Sequence, residues 1–255
     1  MAAPVHISIE RQGKVVELRL ARPKANIVDR DMIAALESGI SEAASGRNAK
    51  AIVLAAEGPH FSYGASVEEH LPAKCADMLR TLHGLILEML DCPLPIIAVV
   101  QGQCLGGGLE VVMASDLIFA APDAKFGQPE VSLGLIAPAA SCLLPAIIGP
   151  VQAKDLLLSG RSIDAERAQR IGLVFEVAAD PKEAALAYID AHLAAKSGAA
   201  LRFACKAARL GMTEGIRERL ARIENLYLND VMATHDAIEG LNAFLEKRPA
   251  IWGNH

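Results

Sequence analysis

Two glutamates are the side chains in this sequence best suited to acid–base chemistry. Glu110 is surrounded by apolar residues in the segment LEVVM, and Glu130 follows Pro129 in KFGQPEVSLGLI. A carboxyl group in apolar surroundings is costly to ionise, so its pKa rises towards the range that suits a general acid or base. Taken alone, Glu110 could equally stabilise the start of a helix, and Glu130 could be an ordinary solvated glutamate.

A glycine-rich turn precedes Glu110. The apolar strand IIAVV leads to Gly102, and the triplet Gly106, Gly107 and Gly108 then leads into an apolar helix expected to begin near Leu109. Glycines let a ligand approach the backbone, and the first turn of a helix presents unpaired N–H groups. Such a turn stabilises a phosphate or a developing oxyanion, although a tight turn without a ligand is an open alternative. The segment has neither the P-loop nor the dinucleotide-binding pattern.

A second segment, HFSYGASVEEHL, contains a turn at Gly64 followed by a predicted helix. It is a candidate to present the Ala65 N–H to a ligand, with a plain loop as the alternative. Its serines do not lie in the G-x-S-x-G pattern of a serine nucleophile. For Tyr63 and His70, ordinary loop or packing roles are favoured over a place in a pocket.

Strands and helices alternate in the part of the chain that carries these segments. Period-two or continuous apolar runs predict strands, and 3.6-residue periodicity predicts helices. The predicted strands are 5–10, 15–21, 51–55, 95–100, 117–120 and 173–177. The predicted helices are one beginning after a cap at Asp29 or Asp31, then 76–90, 151–158, 164–171, 181–196, 199–210 and 214–246. This pattern predicts an α/β core over residues 1–194 and a helical C-terminal region over 195–255.

Composition excludes several classes of protein. The 255 residues are 52% hydrophobic, enough for a large core, and the net charge of −5 with no basic run argues against a nucleic-acid partner. The N-terminal residues show no signal-peptide pattern, and no membrane span of about 20 apolar residues is expected. The five cysteines are scattered without a C-x-x-C pair, which predicts reduced thiols in a cytoplasmic protein, and the seven histidines suggest no metal site.

Taken in this order, the segments FSYGASVEE, CLGGGLE and FGQPE resemble the enoyl-CoA hydratase/isomerase (crotonase) family. The similarity runs from about Arg22 to Gly134, and the helical remainder is compatible with it. The resemblance implies a crotonase-like α/β spiral of ββα units, with the C-terminal helices used to assemble a homotrimer or a dimer of trimers. It also implies an acyl-CoA thioester as substrate and no cofactor apart from the CoA of that substrate.

The resemblance implies roles for individual residues. The backbone amides of Ala65 and Gly107 would form an oxyanion hole, with Glu110 as the base that activates water and Glu130 as the proton donor. The presence of both glutamates favours a hydratase over an isomerase. Contacts to CoA or the substrate are expected from six positions: Lys24, Ala25, Ile27, Ser66, Val67 and Glu68.

The sequence departs from the family pattern after Glu130. Many family hydratases have Pro-Gly and further glycines there, whereas this chain has IAPAAS at 136–141, and Ser66 stands where aspartate is common. Pro138 has no N–H to offer at that position. Together with ANIVD and FSYGASVEEHLP, these features resemble family hydratases of anaerobic benzoyl-CoA degradation, which add water to a cyclic dienoyl thioester. A straight-chain enoyl-CoA hydratase or isomerase of β-oxidation and a non-catalytic binding protein are the alternatives.

Overall fold

The computed structural model describes residues 3–255, and the strands in that range form two sheets. In chain order the strands are β1 (Val5–Glu10), β2 (Val15–Leu20), β3 (Ala51–Ala56), β4 (Ile96–Val100), β5 (Gln103–Leu105), β6 (Leu117–Ala120), β7 (Lys125–Gly127), β8 (Ser162–Asp164) and β9 (Glu176–Val177). The larger sheet has the order β1-β2-β3-β4-β6-β9, and the smaller sheet has the order β5-β7-β8.

The larger sheet starts with an antiparallel hairpin and continues with parallel strands. β1 pairs with β2 so that Val5 faces Leu20 and Glu10 faces Val15, and the remaining neighbours are parallel. β3 and β4 are continuous apolar runs because both faces of these central strands are covered. The predicted hairpin and central strands are confirmed. The smaller sheet was not predicted, because three-residue strands carry too little periodicity to detect.

The helices cover both faces of the larger sheet and form the C-terminal region. They are α1 (Arg30–Ser45), α2 (Cys75–Asp91), α3 (Gly107–Met113), α4 (Pro138–Ser159), α5 (Ala165–Arg170), α6 (Pro181–His192), α7 (Gly198–Asn229) and α8 (His235–Leu245). Short 3-10 helices occur at Arg11–Gly13, Val67–His70, Pro129–Leu133 and Val231–Ala233. Of the two predicted caps of α1, Asp29 is the one used, since its side chain accepts the Met32 N–H at 2.9 Å.

Four predicted element boundaries are wrong, one of them the end of α6, which lies at His192 rather than at residue 196. α4 begins at Pro138 rather than near residue 151, because the chain continues through a kink at Gly149, where φ is 76°. α7 runs through the break predicted near residue 212 and ends at Asn229, where a 3-10 helix and the Thr234 cap separate it from α8. The strand predicted at 173–177 is limited to Glu176–Val177.

α4 also corrects the prediction that no segment approaches the length of a membrane span. Among residues 3–255 it is the one helix long and apolar enough, by length and composition, to cross a membrane. The kink at Gly149 interrupts it, and its residues Leu143, Leu144 and Leu156 are buried in the main hydrophobic core. Core packing accounts for these buried residues, whereas Val151 and Leu158 of the same helix are exposed.

The C-terminal helices pack on the core of their own chain. Ile216 and Leu220 of α7 belong to the main core, and α7 lies against α2 and α4. α8 packs on the 3-10 helix Pro129–Leu133 so closely that a Cβ on Gly240 would lie 2.1 Å from the Leu133 carbonyl oxygen. The C-terminal region thus supports the segment that carries Glu130.

Candidate active site

The structure brings the two predicted oxyanion-hole amides together. Val28 forms a parallel bridge with Ala65, and its N–H donates to the Gly64 carbonyl at 3.0 Å. A Cβ placed on Gly107 would lie 3.1 Å from the Ala65 nitrogen. Gly107 is the first residue of α3, where amide N–H groups have no acceptor within the helix. The two amides can therefore converge on a single oxygen atom.

Ser62 and Gly108 explain why the loop that presents Ala65 can lie so close to the start of α3. The buried Ser62 Oγ donates to the Asn26 carbonyl at 2.8 Å and accepts the Gly64 N–H at 3.1 Å. Across from it, a Cβ on Gly108 would lie only 2.5 Å from the Ser62 Cβ. The glycine lets α3 approach the loop, and the serine fixes the loop that presents Ala65.

Glu110 lies in the first turn of α3 and is 3% exposed. Its Oε1 accepts the Ala140 N–H from the first turn of α4 at 2.8 Å. Burial raises the pKa of Glu110, whereas the charge of His83 and the N–H groups of Ala140 and Ala139 act in the opposite direction. Glu110 is thus a buried carboxyl group with partners that favour its ionised form.

Glu130 occupies a different environment in the 3-10 helix Pro129–Leu133. Burial, followed by the negative charge of Glu110, raises the pKa of Glu130 to about 8. Gly106 has a φ of 50°, and a Cβ at that position would lie 2.7 Å from the Glu130 Oε1, so the glycine leaves room for this carboxyl group. Glu110 therefore has partners that favour its ionised form, whereas the negative charge next to Glu130 favours the protonated form of Glu130.

Gln128 is a neighbour of Glu130 that the sequence analysis missed. It is 1% exposed, and with its amide nitrogen turned towards Glu130 it donates to the two carboxyl oxygens at 3.1 and 3.0 Å. The reverse orientation suits a protonated Glu130, since the amide oxygen then accepts its proton and the nitrogen lies 3.4 Å from the Gly106 carbonyl oxygen. The sequence signal that could have identified Gln128 is its position inside the FGQPE segment.

Pro138 offers no N–H at its position, as expected, and it is the first residue of α4, where proline is well tolerated. Ala140, two residues later, supplies the amide that bonds Glu110. The proline starts the helix whose N-terminus faces the carboxylate, a favourable arrangement for negative charge.

A narrow cavity of about 60 Å³ lies between the amides and the glutamates. Its apolar walls come largely from α2 and from the segment after Glu130, including Met78, Leu79, Leu82, Leu133, Leu135 and Ile136. Tyr63 and His70 also line it, so the prediction that favoured ordinary packing roles for them is wrong. Burial lowers the pKa of His70, whose Nδ1 lies 2.8 Å from the Ser66 carbonyl oxygen, and this favours a neutral imidazole.

The residues predicted to contact CoA occupy two neighbouring segments. In the first, Ala25 accepts the Tyr63 N–H at 2.9 Å, Ile27 is partly buried and Lys24 is exposed. In the second, Val67 lines the cavity and Ser66 is partly buried, whereas Glu68 is exposed and does not line the cavity.

α7 brings a further side chain close to the cavity. Tyr227 is fully buried in a cluster with Met78, Leu79 and Leu135, and its ring lies 6.5 Å from that of His70. Burial, followed by the charges of Cys75, Glu130 and Glu110, raises the pKa of Tyr227 well above its ordinary value. The sequence offered no signal for this placement, because the residue lies in a helix with a weak apolar pattern.

The chain is similar to known proteins along almost its whole length. The family model described as enoyl-CoA hydratase/isomerase matches residues 10–255. A cyclohexa-1,5-dienecarbonyl-CoA hydratase from Thauera aromatica is 56% identical over 99% of this chain and 98% of the relative. A crotonyl-CoA hydratase from Syntrophomonas wolfei is 34% identical over 96% of both chains.

A crystal structure of an enoyl-CoA hydratase from Mycobacterium avium superposes with a TM-score of 0.88 at 26% identity, covering 98% of this chain and 99% of the other. These findings confirm the predicted crotonase fold and the prediction of an acyl-CoA hydratase. The chain belongs to the enoyl-CoA hydratase/isomerase family.

Proposed function

We propose that this chain hydrates cyclohexa-1,5-diene-1-carbonyl-CoA to 6-hydroxycyclohex-1-ene-1-carbonyl-CoA, and that Glu110 and Glu130 transfer the protons. The observation that carries the proposal is the placement of two carboxyl groups in unlike environments beside the adjacent amides of Ala65 and Gly107. The T. aromatica relative, a cyclohexa-1,5-dienecarbonyl-CoA hydratase that is 56% identical over nearly the whole chain, supports the choice of acyl group.

In the proposed reaction the thioester oxygen accepts hydrogen bonds from the Ala65 and Gly107 amides. Attack of water at the β-carbon moves an electron pair onto that oxygen, and fixed N–H donors stabilise the resulting dienolate. In other enzymes, loss of one such donor costs about 3–4 kcal/mol. The apolar lining keeps competing water away, which strengthens these hydrogen bonds.

Glu110 accepts the proton that water loses when its oxygen bonds to the β-carbon. Its hydrogen bond from Ala140 and the charge of His83 suit it to this base role. Glu130, with its pKa of about 8, gives its proton to the far end of the dienolate, at the ring carbon opposite the new hydroxyl group. A proton must then return from Glu110 to Glu130 before the next turnover, and no redox or metal group enters this balance.

Turnover of two substrates tests the proposal. Purified protein is incubated with the cyclic dienoyl-CoA and, separately, with crotonyl-CoA, and the water adduct is followed by mass spectrometry. The proposal predicts fast adduct formation with the cyclic substrate. Preference for crotonyl-CoA would replace it with a straight-chain hydratase, and no adduct with either would reopen the isomerase and non-catalytic alternatives.

A pair of variants tests the role of Glu130. Glu130→Gln removes the proton that is donated, so a loss of turnover of about 100-fold or more is expected. Glu166→Gln is the matched control, because Glu166 is a surface residue whose side chain is 80% exposed. Unchanged turnover in Glu130→Gln would contradict the assignment.

We also propose that the chain forms a homotrimer or a dimer of trimers through its C-terminal region. α7 carries large apolar side chains on its surface, with Phe203 74% exposed and Leu210 52% exposed. Side chains of this kind are typical of surfaces that become buried on assembly. Light scattering coupled to size-exclusion chromatography measures the mass directly, and a monomer at micromolar concentration would contradict the proposal.

A further inference from the structure

The 3-10 helix that carries Glu130 lies against the first half of α8. A Cβ on Gly134 would lie 2.6 Å from the Asp236 carbonyl oxygen, and a Cβ on Gly240 would clash with the Leu133 carbonyl oxygen. Leu133 also lines the cavity together with Glu130. The backbones of the two helices are therefore in direct contact at two points that are one turn of α8 apart.

This contact makes the position of α8 important for the position of Glu130. The 3-10 helix Pro129–Leu133 has only five residues, and no side chain caps its N-terminus. A helix of this length and type is not stable by itself, so its neighbours must hold it in place. α8 is the neighbour that touches its C-terminal end.

Residues 249–255 form a strap that folds back along α8. The carboxyl group of Asp236 accepts two backbone N–H groups of the strap, one from Gly253 at 2.6 Å and one from Asn254 at 2.8 Å. Hydrogen bonds to an ionised acceptor are stronger than those between neutral groups. Asp236 therefore fastens the strap to the start of α8.

A second set of contacts holds the middle of the strap. Glu239 Oε1 accepts the Ile251 N–H at 2.8 Å. The ring of the next residue, Trp252, lies 3.1 Å from the position that a Cβ on Gly240 would take, and the Leu133 carbonyl oxygen approaches the same point. Trp252 thus packs at the place where α8 meets the 3-10 helix.

Filling the hydrophobic core is not the main role of the strap. The side chain of Ile251 is 76% exposed and that of Trp252 is 43% exposed. The strap is instead held by hydrogen bonds to the two carboxyl groups of α8. These contacts fix the strap on α8 at a defined place, with its ring against the contact between the two helices.

We infer that the strap holds α8 against the 3-10 helix, and that Asp236 is a positioning residue for Glu130. The inference rests on the proposed hydratase function, in which Glu130 gives its proton to the substrate. Asp236 acts through other groups: its backbone lies against Gly134, and its side chain fastens the strap.

Steady-state kinetics of Asp236→Ala test the positioning role. We expect kcat to fall about tenfold, because a proton donor that is displaced from the reacting carbon transfers its proton more slowly. KM should change by less than about twofold, because the proton donor acts in the chemical step. Asp236→Asn keeps one acceptor oxygen for the strap, so its kcat should fall by a smaller factor.

The fluorescence of Trp252 reports the strap directly, because it is the only tryptophan in the sequence. In Asp236→Ala we expect emission at longer wavelength and stronger quenching by acrylamide, since the loosened ring is more accessible to water. Unchanged emission and quenching would overturn the role of Asp236 in fastening the strap. A loosened strap with unchanged kcat would overturn its role in positioning Glu130.

Ile251→Ala is the matched control, because it changes an exposed side chain of the same strap and keeps the N–H that bonds Glu239. Its kcat and its tryptophan emission should match those of the unmodified enzyme. If Asp236→Ala does not fold, Trp252→Ala decides, since this partly exposed ring can be removed without opening the core. Its kcat should also fall, and an unchanged kcat would overturn the inference.

A purely structural role gives a different result from a positioning role. Asp236→Ala would then unfold at lower urea concentration while the folded variant keeps the kcat of the unmodified enzyme, and this result would overturn the inference. An unmodified enzyme that hydrates no acyl-CoA thioester would overturn the proposed function, and the positioning role with it. An active enzyme with the same kcat in the variants would overturn the positioning role alone.

Discussion

The carboxyl groups of Glu110 and Glu130 are chemically identical, but their surroundings differ. Glu110 accepts an amide hydrogen bond from α4, whereas the pKa of Glu130 is raised by burial and by the negative charge of Glu110. The sequence was sufficient to single out both residues, and the division of acid and base roles between them stays a prediction. It contained no sign of Ala140 as a hydrogen-bond partner of Glu110, because that contact joins segments that are distant along the chain.

Activity should decline as the pH rises through about 8. Burial and the charge of Glu110 raise the pKa of Glu130 to about 8, so its donatable proton is present below that pH and lost above it. The basic limb of kcat/KM, measured for the cyclic dienoyl-CoA, reports this ionisation in the free enzyme. A rate that stays constant well above pH 8 would contradict the donor role.

The same shift predicts how stability depends on pH. The pKa of Glu130 in the folded state lies above the ordinary value of 4.5, so its contribution to stability is fully present below that value and is lost as the pH rises through about 8. Denaturant unfolding of the unmodified chain and of Glu130→Gln should show this loss in the former and its absence in the latter. Equal pH dependence in both would argue against the shift.

Gly106→Ala should misplace Glu130. The added Cβ would lie 2.7 Å from the Glu130 Oε1, and the φ of 50° is unfavourable for alanine. Displacing a carboxyl group that reacts with the substrate can lower kcat about 100-fold. Gly211→Ala is the control, since a Cβ there meets nothing within 4 Å. Steady-state kinetics check the pair, and equal kcat values would contradict the close fit of Glu130 to Gly106.

At the scale of secondary-structure elements, the first turns of two helices position most of the groups proposed to act on the substrate. The first turn of α3 carries the Gly107 amide and Glu110, and the first turn of α4 donates the amide that Glu110 accepts. The glycine triplet predicted the start of α3 to within two residues. The start of α4 was missed because Pro145, Gly149 and Pro150 suggest a loop, whereas packing in the core holds this segment helical.

Arg209 ties α7 to the elements beneath the site. This buried residue donates to the carbonyl oxygens of Cys92 and Leu94 and, through Nε at 2.7 Å, to Asp116. Arg209→Ala leaves Asp116 and the carbonyl groups without these partners, so the free energy of unfolding should fall by about 3 kcal/mol or more. Urea denaturation measures the change.

Arg217→Ala provides the comparison for Arg209. Its ion pair with Asp91 links the same region of α7 to the end of α2, but both side chains are more than half exposed. The expected loss is below about 1 kcal/mol, as is usual for surface pairs. If the free energy of unfolding falls equally in the two variants, the burial of Arg209 does not strengthen its interactions.

At the scale of the whole molecule, the family and fold were predictable because several motifs occur in the right order. Each of the three motifs, FSYGASVEE, CLGGGLE and FGQPE, could be an ordinary turn or loop without a ligand. Together they predicted the fold that the structure shows. The contribution of the C-terminal helices to the site could not be predicted. Tyr227 packs against residues that line the cavity only because α7 lies against α2, a contact between segments more than 100 residues apart.

The location of a deuterium label is the most direct test of the account. Cyclohexa-1,5-diene-1-carbonyl-CoA is hydrated by the enzyme in D₂O, and the product is examined by NMR. We expect one deuterium at the ring carbon opposite the hydroxyl-bearing carbon, because Glu130 would deliver its proton to the far end of the dienolate. Deuterium at the carbon next to the thioester carbonyl, or no hydrated product, would contradict the proposed 1,4-addition.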